Sequence, residues 1–213
     1  MKKSFIIILI VFLSLLLAYN NLSRVSKQNY KFIASDAVFL NDADVLLLGS
    51  STIAYFNDYR VFECDTVMNR GIGNSHLTDL HRYISSLKRK LAIRHVVIYA
   101  GENDLFRDVS VQEAAAIYQD SVKMILEKSP ETTIHMLGVK YSPARVDAWP
   151  LFSEFNVFLN EMAESYSQVL FYPPPDRMPR QQLFKADGIH FNEVGESVFF
   201  NQVASLCNQN KYD

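Results

Sequence analysis

The chain lacks low-complexity tracts, internal repeats and flexible linkers, so nothing divides its 213 residues into separate folded domains. That length is enough to bury a sizeable core. The chain also lacks a strongly charged face, because its net charge is -2 and its only tight cationic run is Lys88-Arg89-Lys90. This run is predicted near the end of a helix, where it complements the helix dipole. Without a basic stripe, nucleic acid is not expected as a partner.

Two motifs of common hydrolases are missing as well. There is no His-Glu-x-x-His sequence, and His76 and His81 are five residues apart on one predicted helix, which is the wrong spacing for a shared metal. The Gly-x-Ser-x-Gly elbow of the larger α/β-hydrolases is also absent. The run that comes nearest to it is Gly49-Ser50-Ser51-Thr52-Ile53.

The first twenty residues have the layout of an export signal. Met1-Lys2-Lys3 is cationic, and residues 5–18 are almost wholly apolar. No clear small-x-small cleavage site follows, and residues 4–19 are near the lower length limit for a membrane span. We therefore predict that residues 1–22 are a cleaved signal peptide or an N-terminal anchor that attaches the protein to the inner membrane. Either one would export residues 23–213, to the periplasm or the extracellular space.

Short apolar runs without alternation of apolar and polar residues are typical of parallel strands buried on both faces. Five such runs occur, at residues 45–48, 66–68, 95–100, 133–137 and 169–172. Segments with apolar residues at helical spacing separate them, and a further helix is predicted within residues 30–39. This alternation predicts one three-layer α/β/α domain around a five-stranded parallel sheet.

The two cysteines, Cys64 and Cys207, are both predicted at the amino-terminal edge of this sheet. Export would place them in an oxidising compartment, and a disulfide between them is geometrically feasible. Two buried thiols are the interpretation that we favour.

Polar and glycine-rich clusters follow all five predicted strands. In a parallel α/β sheet, ligands bind at the carboxyl ends of the strands, where these loops meet. The loops comprise residues 49–51, 69–75, 101–104, 138–145 and 187–190. Their coincidence at one edge, more than any single motif, indicates a catalytic site.

Ser50 and Ser51 stand where a buried strand ends and a short helix begins. A helix N-cap is the ordinary role of serine there, but a serine with a nearby base can also be a nucleophile at neutral pH. His190 can be that base, and Asp187 can bind the other ring nitrogen and fix the tautomer. The residues alone do not choose between Ser50 and Ser51.

An attacked ester develops an oxyanion, which needs preorganised hydrogen-bond donors. Three donors are candidates: the N–H of Ser51, a backbone N–H from the Gly73–Asn74 turn, and the side-chain amide of Asn103. In the loop after the fourth strand, Lys140 and Arg145 could bind a phosphate or carboxylate, but we favour a role in stabilising the loop.

The loops resemble the four sequence blocks of the SGNH hydrolases, also called GDSL-type esterases. In chain order the blocks are Gly49-Ser50-Ser51, residues 69–74, Gly101-x-Asn103-Asp104 and Asp187-x-x-His190. The resemblance extends from about residue 45 to residue 195. It implies a flavodoxin-like fold, a catalytic triad of Ser51, His190 and Asp187, ester hydrolysis, and neither metal nor cofactor.

Two positions depart from the usual family pattern. The aspartate that normally precedes the nucleophile is Ser50, as in a sub-branch of the family that carries Gly-Ser-Ser. The glycine that normally contributes an oxyanion donor is Asn74. Its backbone N–H can still donate, because asparagine tolerates left-handed conformations better than most residues, and Gly73 is the alternative donor.

These observations predict a serine esterase that cleaves short acyl or acetyl esters of lipids or carbohydrates through an acyl-enzyme. Two alternatives remain. An O-acetyltransferase of the cell envelope would use the same residues with an alcohol in place of water. A catalytically silent domain would bind a glycan or another partner. The sequence determines neither the exact substrate nor the oligomeric state.

Overall fold

The structure is a computed structural model that describes residues 2–20, 22–39, 42–87, 90–175 and 181–208. Within these residues five parallel strands form one sheet in the order β2-β1-β3-β4-β5. The strands are β1 (Asp42–Gly49), β2 (Val67–Gly71), β3 (Ala92–Tyr99), β4 (Thr133–Leu137) and β5 (Val169–Tyr172). The predicted α/β/α class is confirmed, and the strand order is that of flavodoxin-like folds.

Helices connect the strands and cover both faces of the sheet. They are α1 (Lys2–Asn20), α2 (Arg24–Phe39), α3 (Ser51–Tyr55), α4 (Leu77–Ser86), α5 (Glu102–Phe106), α6 (Val111–Lys128), α7 (Trp149–Glu164) and α8 (Glu193–Phe200). In the described residues four short 3-10 helices supplement them, at Tyr59–Phe62, Pro143–Ala148, Gln181–Leu183 and Asn201–Val203.

The apolar run of β1 supplies both halves of the core. Leu46 and Leu48 pack on the face covered by α4, α6 and α7, whereas Val45 and Leu47 pack on the face covered by α8. All four side chains are almost completely buried. This two-sided burial explains why the run shows no alternation.

Three strands extend beyond their predicted bounds, and β2 does so at its carboxyl end, which is Gly71. β1 and β3 begin earlier than their apolar runs, because Asp42 pairs with Ala92 and Ala43 with Ile93. These additional strand residues are held by backbone pairing and are not a continuous apolar run, so hydropathy alone does not predict them. Of the cationic run predicted near a helix end, Lys88 and Arg89 lie outside the described residues.

Helix α2, which precedes β1, begins at Arg24 and is therefore longer than the helix predicted at residues 30–39. An ion pair and a further hydrogen bond connect it to the rest of the domain. The carboxylate of Asp36 accepts two hydrogen bonds from Arg70, each 2.6 Å long, and a third of 2.6 Å from the hydroxyl of Tyr83. Burial raises the pKa of Asp36, but the bonds from Arg70 and Tyr83 outweigh that effect and lower it. The ion pair therefore holds α2 against β2 and α4.

The N-terminal segment forms helix α1. Its apolar side chains Ile7, Phe12 and Leu17 are exposed. Among the residues that the structure describes, no helix is both long and apolar enough to cross a membrane. A signal peptide or N-terminal anchor at residues 1–22, followed by a domain at 23–213, stays a prediction.

The interpretation of two buried thiols is wrong. Cys64 and Cys207 form a disulfide, with their Cα atoms 5.3 Å apart. Both lie at the edge of the sheet that the sequence predicted, but only the folded chain shows that α8 and the residues after it return within bonding distance of Cys64.

Removal of this disulfide is expected to lower the free energy of unfolding by about 2–5 kcal/mol, because the bond crosslinks residues 143 positions apart and restricts the unfolded chain. Urea denaturation of the Cys64→Ser/Cys207→Ser protein would measure the loss. A reductant should bring the wild type to the level of the variant and leave the variant unaffected. An unchanged unfolding midpoint in the variant would contradict the prediction.

Candidate active site

Close approach of two strands explains the glycine at the end of β1. Gly49 has φ = 147°, and a Cβ at this position would lie 1.9 Å from the carbonyl oxygen of Tyr99. The N–H of Ser50 donates to that same oxygen at 3.1 Å. The chain then enters α3, whose first residue is Ser51. Glycine therefore allows β1 to end tightly against β3 and to present two serines at a helix start.

The two serines have different surroundings. Ser50 is buried at the N-cap position of α3, and its side chain makes no capping hydrogen bond. Ser51 lies in a cavity, with its Oγ 2.9 Å from Nε2 of His190. Because Ser51 is the first residue of α3, its N–H has no carbonyl partner within the helix. Of the two, only Ser51 has a base within hydrogen-bonding distance.

Asp187 holds the loop that carries the histidine. Its Oδ2 is 2.7 Å from Nδ1 of His190, and its Oδ1 accepts the backbone N–H groups of Ile189 and His190, each at 2.9 Å. One carboxylate thus shapes the turn and orients the ring. Burial raises the pKa of Asp187, but the bonds from His190 and the two backbone N–H groups outweigh it and hold the pKa well below its usual range.

The side-chain amide of Asn103 is fixed at both ends. Its Nδ2 donates to the carbonyl oxygen of Ser75 at 3.0 Å, and its Oδ1 accepts from Nη2 of Arg145 at 3.0 Å. An amide nitrogen carries two hydrogens, so one N–H of Asn103 remains for a ligand in the cavity.

The departure at Asn74 is accommodated by the backbone and by a neighbouring side chain. Asn74 has φ = 65°, the left-handed conformation that glycine would adopt without strain. Its Oδ1 accepts a hydrogen bond of 2.6 Å from Nη2 of Arg107. Gly73, the alternative donor, also lines the cavity. Sequence reasoning missed Arg107, because nothing in its local pattern connects it to residue 74.

A cavity of about 600 Å³ brings the predicted site residues together. Its walls include Ser51, Gly73, Asn74, Asn103 and His190. Asp187 lies behind the ring of His190 and does not line the cavity.

Part of the cavity wall comes from residues outside the four family blocks. Arg24, Val25 and Gln28 of α2 line one side. Tyr55 lines another, with its ring centroid 5.2 Å from that of His190. The sequence indicates only a polar helix before β1, whereas in the structure the ion pair between Asp36 and Arg70 helps to hold α2 beside the site.

The two cations of the loop after β4 have different positions. Lys140 is buried in an ion pair with Glu102 and does not line the cavity, so the predicted role in stabilising the loop is confirmed for it. Arg145 reaches the cavity wall. Trp149 donates its Nε1–H to the carbonyl oxygen of Ser142 and packs against Tyr141.

Metal-ligating side chains do not cluster in the part of the chain that the structure describes. No group of three or more His, Cys, Asp or Glu residues there could hold a metal ion. His76 instead contacts Asp104, and His81 contacts Asp120 on α6.

Comparison with family models identifies the chain directly. Residues 54–198 match the model of the GDSL-like lipase/acylhydrolase family. The match begins three residues after Ser51 and includes Asn74, Asn103, Asp187 and His190. No curated protein matches the sequence closely enough to count as a relative.

Solved structures share the fold at low sequence identity. A candidate platelet activating factor from Streptococcus pneumonia has a TM-score of 0.73 at 20% identity, covering 91% of this chain and 97% of its own. A lipolytic protein of the G-D-S-L family from Veillonella parvula has a TM-score of 0.59 at 15% identity, covering 73% and 93%. A mutant of an acetyl-xylooligosaccharide esterase from Geobacillus Stearmophilus has a TM-score of 0.58 at 14% identity, covering 77% and 93%.

At these identities the solved structures show a common fold, and the family model carries the assignment. Its match covers most of the chain and four of the five loops at the carboxyl edge of the sheet. The protein is a hydrolase that acts on ester bonds, and it belongs to the GDSL-like lipase/acylhydrolase family.

Proposed function

We propose that the protein is a serine esterase that works through an acyl-enzyme at Ser51. The observation that carries the proposal is the pair of contacts from Ser51 Oγ to His190 Nε2, at 2.9 Å, and from His190 Nδ1 to Asp187 Oδ2, at 2.7 Å. Ser51 lies 139 positions from His190 in the sequence, yet nucleophile, base and carboxylate meet in the order that nucleophilic catalysis requires.

In the first half-reaction Ser51 Oγ attacks the ester carbonyl carbon, and its proton moves to His190 Nε2. The carbonyl oxygen becomes an oxyanion, which the N–H groups of Ser51 and Asn74 and the Nδ2–H of Asn103 stabilise. His190 then returns the proton to the departing alkoxide, which leaves as an alcohol. Water, deprotonated by His190, attacks the acyl-enzyme. His190 then passes this proton to Ser51 Oγ as the bond between Oγ and the acyl carbon breaks, which releases the acid and free Ser51.

We propose short acyl or acetyl esters of carbohydrates or lipids as the substrates. A cavity of about 600 Å³ falls in the range that accommodates small-molecule ligands, and Gln28 and Arg24 add polar groups to its wall. The fold shared with an acetyl-xylooligosaccharide esterase supports an acetylated sugar as a first test substrate. The closely spaced triad argues against the catalytically silent alternative.

We also propose that the protein is exported. The cationic start Met1-Lys2-Lys3 followed by apolar residues is the pattern of an export signal. The disulfide between Cys64 and Cys207 supports an oxidising destination, because such bonds are rare in the cytosol.

The test is turnover of p-nitrophenyl acetate and of acetylated xylooligosaccharides by the purified protein, together with labelling by a fluorophosphonate. Hydrolysis and a label on the peptide that contains Ser51 are the expected results. A folded protein that shows neither turnover nor labelling would contradict the proposed function. The p-nitrophenyl butyrate and octanoate esters, run in parallel, would measure the preference for acyl length.

A further inference from the structure

A cluster of charged side chains that the proposed mechanism does not use is buried beside the active site. It consists of Glu102, Lys140 and Arg145, whose side chains are only 4%, 3% and 10% exposed. Burial of charge is costly unless each charge is paired and hydrogen-bonded. The contacts of this charged cluster therefore indicate what it does for the site.

Lys140 connects the cluster to the nucleophile turn, which comprises residues 49–52. Its Nζ donates to the carboxylate of Glu102, to the hydroxyl of Tyr99 at 3.1 Å and to Oγ1 of Thr52 at 3.1 Å. These three acceptors use all three hydrogens of the ammonium group. Thr52 directly follows Ser51 on α3, so Lys140 ties the nucleophile turn to the loop after β3.

Arg145 connects the cluster to the predicted oxyanion donor. Its Nη1 is 3.1 Å from Oε1 of Glu102, its Nη2 donates to Oδ1 of Asn103 at 3.0 Å, and the guanidinium carbon lies 4.6 Å from the ring centroid of Phe106. A guanidinium group has donors and no acceptor. Arg145 can therefore accommodate only the oxygen of the Asn103 amide, which turns the Nδ2 end towards Ser75 and the cavity.

The charged cluster also places a positive charge beside the oxyanion donor predicted at Asn103. Two cations share the single carboxylate of Glu102, which additionally accepts hydrogen bonds from Ser142 at 2.5 Å and Tyr99 at 2.6 Å. Burial raises the pKa of Glu102, but Lys140 and Arg145 outweigh it and lower the pKa, so the carboxylate is charged at neutral pH. The guanidinium of Arg145 lies next to the Asn103 amide, where its positive charge favours a negative charge developing on the substrate.

We propose that Arg145 is a positioning residue, which orients the amide of Asn103 so that one Nδ2–H points at the oxyanion and which contributes positive charge behind it. This inference rests on the proposed esterase function. Arg145 reaches the cavity wall, but its guanidinium group is bound to Glu102 and Asn103. Its loss should therefore weaken transition-state stabilisation and leave ground-state binding almost unchanged.

The test compares kcat and KM for p-nitrophenyl acetate in the wild type, Arg145→Met, Asn103→Ala and the double variant. Loss of one oxyanion donor costs on the order of 10²–10³ in kcat, so Asn103→Ala is expected in that range. Arg145→Met is expected to lower kcat by about 10–100-fold, with KM within about threefold of wild type. In the Asn103→Ala background, Arg145→Met should cost less than about threefold, because the group that it positions is already gone.

The matched control is Arg94→Met. Arg94 is a partly exposed arginine that pairs with Asp44 at 3.0 Å, at the opposite edge of the sheet. Its substitution should leave kcat unchanged. If Arg145→Met does not fold, Arg145→Lys keeps the charge without the planar fork and should still lose about tenfold in kcat. Losses that multiply in the double variant, or a rise in KM alone, would overturn the inference.

A second readout does not depend on turnover. In 15N-labelled protein the two side-chain amide protons of Asn103 should give separate, slowly exchanging signals, and Arg145→Met should shift these signals and speed their exchange. Unchanged Asn103 signals in Arg145→Met would overturn the positioning role even if the enzyme is active. A wild type without any hydrolysis would instead overturn the proposed function, so the two failures are distinguishable.

Discussion

Replacement of Ser51 by alanine is expected to abolish ester hydrolysis, with kcat lower by on the order of 10⁴–10⁶-fold. Ser51 Oγ lies 2.9 Å from the histidine nitrogen that can accept its proton. Ser50→Ala is the matched control, and its kcat should stay within about threefold of wild type. The hydrogen bonds that Ser50 makes through its backbone, to Tyr99 and to Ala54, do not require its hydroxyl.

The measurement is the initial rate with p-nitrophenyl acetate for both variants, with thermal unfolding as the check that each has folded. Fluorophosphonate labelling should disappear in Ser51→Ala and persist in Ser50→Ala. The opposite pattern, an inactive Ser50→Ala beside an active Ser51→Ala, would mean that Ser50 is the nucleophile and that the turn after Gly49 rearranges in solution.

The choice between these two serines shows where sequence reasoning about the site ends. Both follow Gly49 at the end of a buried strand, so the local pattern is the same for each, and only the resemblance to a family favoured Ser51. The structure separates them by an interaction between residues 139 positions apart, the contact of Ser51 with His190. Local pattern does not encode such a distance.

Strands and helices were predictable because burial leaves a pattern in the sequence, a continuous apolar run for a strand covered on both faces and apolar residues at helical spacing for a helix. The run from Val45 to Leu48 is apolar throughout since both faces of β1 are covered. The disulfide of Cys64 with Cys207 left no such trace, because pairing depends on a separation of 5.3 Å between Cα atoms in the folded chain.

The charged residues around the site were the least predictable part. Arg145 and Asn103 lie on different loops, and their hydrogen bond depends on how the loops after β3 and β4 pack. Glu102 had no predicted role, although its carboxylate is the shared partner of two buried cations. Sequence gives the type and order of such residues, whereas their pairing is a property of the tertiary structure.

Asp187→Asn is expected to lower kcat by on the order of 10³–10⁴-fold while the protein remains folded. The Oδ1 of an asparagine can keep both hydrogen bonds that Asp187 receives from the backbone N–H groups of Ile189 and His190. The loop should therefore keep its shape. Asp147→Asn, which removes the same charge from an exposed position on the loop after β4, is the control and should have wild-type kcat.

The loss would arise from the tautomer of His190. With Oδ1 retained by the backbone, the NH2 group of the asparagine faces Nδ1, which must then act as an acceptor. The ring proton moves to Nε2, and a protonated Nε2 cannot take the proton of Ser51. Near-wild-type kcat in Asp187→Asn, with kcat for Asp147→Asn also unchanged, would contradict a general-base role for His190 that depends on this carboxylate.

The pH dependence of the free energy of unfolding should show whether the charge of Asp187 strengthens its bond to His190. The pKa of Asp187 is lowered in the folded protein, so the folded state binds fewer protons than the unfolded chain as the pH falls through the range of a free aspartate. The stability that the charge adds is therefore present above about pH 4 and is lost as the pH falls towards the lower, folded-state pKa. Wild type should exceed Asp187→Asn in free energy of unfolding at pH 7, and the difference should shrink in acid. Urea denaturation at several pH values would measure it, and a difference that is constant from pH 7 to pH 3 would show that Asp187 does not hold a charge-assisted bond to His190.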